Sequence, residues 1–144
     1  MQAQVAYLPG KYAEGLTTIN QVLENYCQNS NPKYISFATA LTVQGLILNK
    51  LGRSDEAEKV LREAVKLREE GLPDKHFMTA QTKGALGECL IDQKRYSEAE
   101  PLLQNSYNDL KASQGENPRT ILARQRLTRL YEAWGKAAEA ANFQ

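Results

Sequence analysis

The chain has 144 residues, with 18 Lys and Arg against 17 Asp and Glu, a formal net charge of +1. That balance excludes bulk attraction to nucleic acid or to an anionic membrane surface. No apolar run is long enough for a signal peptide or a membrane span, so a soluble, cytoplasmic protein is expected.

Met1–Leu8 reads as the tail of a helix, closed by Pro9-Gly10. Tyr12 to Tyr26 is then helical, because Leu16, Ile19, Val22, Leu23 and Tyr26 recur at helical spacing. Asn31-Pro32 supplies an N-cap and a first-turn proline. The next helix runs from about Lys33 to Leu51, with Phe37, Leu41, Gln44, Leu48 and Leu51 on one face, and Gly52 ends it. Asp55 with Glu58 three residues on predicts a capping box and a further helix to about Arg68. Gly71-Leu-Pro-Asp74 is a break. Helix resumes near His76 and runs to Gln93, and Ser97 with Glu100 repeats the capping box. Pro101 falls in the first turns, where proline costs least. Asn117-Pro118 repeats the Asn-Pro start, Thr120 to Trp134 is helical, and Ala138 to Phe143 begins a helix that the C-terminus cuts short. Period-two alternation is absent, so no strand is expected.

Four hexapeptides share one pattern: Gly10–Gly15, Gly52–Ala57, Lys94–Ala99 and Gly135–Ala140, at steps of 42, 42 and 41 residues. A near-constant period of this length means a repeat array. Each hexapeptide joins two amphipathic helices, with a Gly twelve residues before the Ala in Gly45/Ala57 and Gly87/Ala99, and Thr128 replacing it before Ala140. This arrangement resembles the tetratricopeptide repeat (TPR), in the long 42-residue form found in kinesin light chain and many bacterial proteins. The resemblance implies an all-α, right-handed superhelical solenoid of antiparallel helix pairs, about seven helices. The repeats would fall at 1–30 (partial), 31–71, 74–115 and 117–144 (partial), and the chain would be a fragment of a larger protein. A narrower likeness joins Leu86–Leu90, Ser97–Leu103, Gly115–Thr120 and Leu130–Lys136 to the C-terminal repeat tails of bacterial serine/threonine protein kinases. No Gly-rich phosphate loop, catalytic loop or Asp-Phe-Gly is present.

Chemistry finds little purchase. His76 is the single histidine, at a helix start where an exposed loop residue is expected. Cys27 and Cys89, 62 residues apart, match no metal or redox spacing and read as small buried apolar residues. Trp134, on the apolar face at a helix end, reads as a core plug. The chain is thus expected to be no enzyme, to need no cofactor or metal, and to act as a protein-interaction scaffold.

In the family resembled, the first helix of each pair lines a concave groove. Carried over by spacing, peptide-binding candidates are Thr42, Leu46, Asn49 and Lys50; then Gln81, Glu88 and Asp92; then Gln125, Arg126, Arg129 and Glu132. Chaperone-tail recognition is not implied, because Thr42, Leu46, Ala85, Leu122 and Arg126 leave one basic residue where a Lys/Asn/Arg clamp would stand. The candidates sort into an apolar patch (Val43, Leu46), an acidic middle (Glu88, Asp92) and a basic end (Arg126, Arg129), which predicts an acidic or phosphorylated peptide partner. The alternative is a structural spacer or a self-association segment, with homodimers formed through exposed end helices.

Overall fold

The computed structural model describes residues 11–28 and 34–143. Among these are seven helices and no strand: α1 Tyr12–Gln28, α2 Tyr34–Lys50, α3 Ser54–Gly71, α4 Phe77–Asp92, α5 Tyr96–Gln114, α6 Pro118–Ala133 and α7 Ala137–Ala141. The expected Met1–Leu8 helix and the Asn31-Pro32 start lie outside the described residues. The chain forms two compact units, residues 1–71 and 72–144.

The tight turns come from one device used three times. Gly52, Lys94 and Gly135 take positive φ of 78°, 61° and 80°. At each, the next residue's amide reaches back five positions: Arg53 N–H to Leu48 O at 2.9 Å, Arg95 N–H to Leu90 O at 2.9 Å, Lys136 N–H to Tyr131 O at 2.7 Å. These are Schellman closures, which satisfy the last carbonyls of the first helix and turn the chain at once into the second. Connections this short leave the paired helices antiparallel.

In the first unit the core gathers Ile19 and Leu23 of α1, Ala40, Leu41 and Ile47 of α2, and Ala64 of α3. Helices α2 and α3 approach closely because Gly45 has no side chain. A Cβ there would lie 2.6 Å from Leu61 Cδ2. Arg68 is buried on α3 and donates to Thr39 Oγ1 at 3.0 Å, and burial pushes its guanidinium pKa down. Leu51, expected on the apolar face, instead sits in the turn beyond α2 and is exposed.

The second unit repeats the contact 42 residues on. A Cβ on Gly87 would lie 2.7 Å from Leu103 Cδ2. Ala80, Leu110 and Ala123 join α4, α5 and α6 in one core cluster, flanked by Phe77 and Tyr107. Ser106 Oγ donates to Ala80 O at 2.7 Å, which fixes α5 on α4. Gln104 Nε2 donates to Tyr131 Oη, which donates to Glu100 Oε2, both at 2.8 Å, and these bonds fix α6 on α5. Asn117 caps α6 as expected, its Oδ1 accepting from Arg119 N at 2.9 Å and Thr120 N at 3.1 Å, with Pro118 in the first turn.

Two expectations of local structure are corrected. The capping boxes at Asp55 and Ser97 fall inside their helices, which begin at Ser54 and Tyr96. What recurs there is an ion pair: Arg53 to Glu56 and Arg95 to Glu98, each with bonds of 2.6 and 2.9 Å. A bidentate guanidinium one residue ahead of the helix displaces the hydroxyl or carboxylate cap. His76 is also more than an exposed loop residue. It is the N-cap of α4, with Nδ1 accepting from Met78 N at 3.1 Å and its ring stacked on Phe77 at 4.7 Å.

Candidate functional site

Helices α4 and α6 lie side by side in the second unit, both joined to α5 by short turns. Facing side chains from them meet. Arg126 Nε lies 3.1 Å from Glu88 Oε2, Arg129 Nη1 lies 3.4 Å from Glu88 Oε1, and Arg129 Nη2 bonds Asp92 Oδ1. Positions three and four apart on each helix put both acids on one stripe and both arginines on the other. The inner pair is well covered, with Arg126 and Glu88 side chains 11% and 15% exposed. The outer pair is open, with Arg129 and Asp92 at 46% and 29%.

The expected separation into an acidic middle and a basic end is therefore corrected. Glu88 and Asp92 neutralise Arg126 and Arg129 in one network, because α4 and α6 are neighbours and the side chains reach across. Gly84 makes room for it: a Cβ there would stand 2.7 Å from Arg126 Nη1. The missing side chain lets the guanidinium lie against the α4 backbone.

The other candidates scatter. Asn49 is buried, and its Oδ1 accepts from Ser54 Oγ at 3.0 Å, so it holds the α2–α3 turn and is corrected as a groove residue. Thr42 is half-buried with its hydroxyl donating to Ala38 O at 2.7 Å. Leu46 and Gln81 are half-buried and Lys50 is exposed. On α6, Gln125 and Glu132 line a cleft with Ile121 and Thr128, flanked by Arg124 and by Arg129 of the charge network, and bounded by Phe143 from beyond α7. Sequence reading named Gln125, Arg129 and Glu132 as candidates but not this cleft, because its far wall is Phe143 from beyond α7.

Trp134 is half-exposed rather than a core plug. It ends α6 with Lys136 Nζ 3.7 Å above its ring and Tyr96 at 6.0 Å. A cation held over an indole face stays solvated, and this keeps the ring at the surface. Cys89 is a fully buried thiol whose Sγ accepts from Gln93 Nε2 at 3.5 Å, while the side-chain surroundings of Cys27 lie outside the described residues. Burial pushes the Tyr131 phenol up from its ordinary value of 10.0, the Gln104 bond draws it back, and Glu100 raises it again. Among the described residues no three His, Cys, Asp or Glu cluster as metal ligands, and no helix is long and apolar enough to cross a membrane.

Models of the tetratricopeptide repeat match residues 38–70 and 78–144. Among solved structures, a kinesin-light-chain-type protein of Podosopora anserina with nearly identical TPR-like repeats aligns at a TM-score of 0.84 and 20% identity, covering 99% of this chain and 68% of that one. BtubC (BKLC) from P. vanneervenii aligns at 0.82 and 15% identity, over 98% of this chain and 56% of its own length. No curated protein matches the sequence. The likeness to kinase repeat tails is not carried by these matches. Residues 38–70 and 78–144 are thus tetratricopeptide repeats, within an all-α fold of the TPR-like solenoid class.

Proposed function

We propose that this chain is a non-catalytic protein-interaction module, and that the α4–α6 face of the second unit is one of its binding surfaces. Tetratricopeptide repeats generally mediate protein–protein interaction, and such repeats cover most of the chain. The observation that carries the choice of face is the network of Glu88, Asp92, Arg126 and Arg129. It presents two charges of each sign, the outer pair open to a ligand. The partner's chemistry follows from that arrangement. A purely acidic peptide would have to displace Asp92 from Arg129, so a segment carrying both signs fits better, its acid on Arg129 and its base on Asp92. Exposed pairs of this kind contribute about 0.2–1 kcal/mol each, so binding is modest and weakened by salt.

The test uses a photo-crosslinking residue at Asp92, with one at exposed Glu63 on α3 as control. Proteins captured from the source cells by the first and not the second are then titrated against wild type and Asp92→Ala/Arg129→Ala. A several-fold loss for the double variant, against no change for Arg62→Glu, is expected. Equal capture at both positions, or equal affinities, would remove this face from the function.

A further inference from the structure

Helices α4 and α6 meet rung by rung. Phe77 meets Arg119 and Gly84 meets Arg126, each pair 42 residues apart, and Glu88 meets Arg129 at 41. Contacts that advance together along both helices mean that the two run parallel, with the binding face proposed above along their seam. Arg119, Arg126 and Arg129 share one stripe of α6, because seven residues are close to two turns and three are close to one. The seam is charge-balanced at one end only. Arg126 and Arg129 are met there by Glu88 and Asp92. At the other end exposed Arg119 is met by an aromatic ring, with its Cζ 5.0 Å from the Phe77 centroid. His76, the N-cap of α4, holds that ring by stacking on it at 4.7 Å. Among the described residues no carboxylate pairs with Arg119, and Glu116, three positions before it, is bonded to Arg124 at 3.2 Å. Helix stability does not account for an arginine here, since the first turn of α6 is where positive charge opposes the helix dipole.

We infer that Arg119 is a second anchor of this face and takes an acidic side chain of the partner segment. The inference rests on the function proposed above and adds what the segment must carry. The Phe77 ring attracts the cation without neutralising its charge. The guanidinium's donors therefore remain for a carboxylate, which they can hold through two bonds in one plane. Arg119 and Arg129 are ten residues apart, about 15 Å along α6. An extended segment covers that distance in about four or five residues. The occupant is thus an extended peptide with a lone acid for Arg119 and, about four or five residues away, the acid and base that meet Arg129 and Asp92. Arg119 selects among charged segments by this spacing, which the network by itself does not read.

The probes are the capped synthetic peptide Glu-Ser-Ala-Ser-Glu-Lys and its reverse-order counterpart, each beside a version whose lone Glu is Gln. They are too short to be helical in water. Each is titrated into the isotopically labelled full chain and followed by amide NMR shifts. One chain direction should give saturable shifts at both ends of the seam, near Phe77 and Arg119 and near Asp92 and Arg129. Its Gln version should lose the shifts at the Arg119 end and bind several-fold more weakly. Arg119→Gln, an exposed position whose variant is checked by circular dichroism, should weaken the Glu peptide several-fold and leave the Gln peptide unchanged. Equal affinities of the Glu and Gln peptides, or an Arg119→Gln loss that is the same for both, would overturn the inference. So would the absence of saturable shifts from all four peptides. A partner still captured at Asp92, and still weakened by Asp92→Ala/Arg129→Ala, would in those cases leave the binding face standing without its second anchor.

Discussion

At the scale of single residues, local conformation and local hydrogen bonds decide the outcomes. His76 accepts from Met78 N at the start of α4. Loss of such a cap costs about 0.5–2 kcal/mol. His76→Ala is therefore expected to lower the denaturation midpoint measurably, with His76→Asn restoring most of it. Lys94 holds φ of 61° where the other two turns use glycine. An L-residue in that region costs on the order of 1 kcal/mol. Lys94→Gly should raise stability by up to about that amount in a urea titration, and a loss would mean that the lysine side chain stabilises the turn. Gly87 is the opposite case. Alanine there gains up to about 1 kcal/mol of helix propensity, but its Cβ meets Leu103 at 2.7 Å. Overpacking of that kind costs about 1–3 kcal/mol, so Gly87→Ala should be net destabilising by thermal melting.

Between elements, burial ranks the ion pairs. Arg126 and Glu88 are mostly covered, whereas Arg129 and Asp92 stand open. Coupled neighbours show interaction energies of about 0.5–3 kcal/mol in double-mutant cycles. The Arg126–Glu88 cycle should give the larger coupling and hold it in high salt, while the Arg129–Asp92 coupling fades as screening shortens. Tyr131 links α5 to α6 through Gln104 and Glu100, and burial raises its phenol above the ordinary value of 10.0. A group with a raised folded-state pKa gives stability that is complete below the unfolded value and is lost as pH rises through the folded one. Stability should therefore fall with increasing pH above about 10, and Tyr131→Phe should flatten that fall. Tyrosinate absorbance together with chemical denaturation at each pH measures both.

For the molecule as a whole, the two units each hold their own core. Repeat arrays are stabilised by contacts within and between adjacent repeats rather than by one central core. Residues 72–144 contain the α4–α5 hairpin, its Schellman turn, the Asn117 cap and the whole charge network. Expressed alone, this segment should keep a helical far-ultraviolet circular dichroism spectrum and a cooperative melt. A random-coil spectrum would show that its internal contacts are insufficient.

Much of this architecture was legible in the sequence because it is written in short-range chemistry. Helical spacing of Leu, Ile and Val, the Asn117-Pro118 start, and the 42-residue recurrence of Gly45/Ala57 in Gly87/Ala99 each follow from steric and hydrogen-bonding rules acting within a few residues. Several local features failed for the same reason, since two local devices competed: Arg53–Glu56 and Arg95–Glu98 displaced the expected capping boxes. The candidate site was much less legible. Glu88 and Arg126 are 38 residues apart, and each alone reads as a surface charge. Their pairing requires α4 and α6 to be neighbours and Gly84 to admit a guanidinium. Asn49 looked like groove surface until the turn buried it, and the cleft beside α6 needs Phe143, from beyond α7, to stand against Ile121 and Thr128. Periodicity along the chain determines which residues can share a helix face. Which faces then meet, and which charges cancel, depends on distances between helices, and these are set when Gly45 and Gly87 let leucines in and bring the helices together.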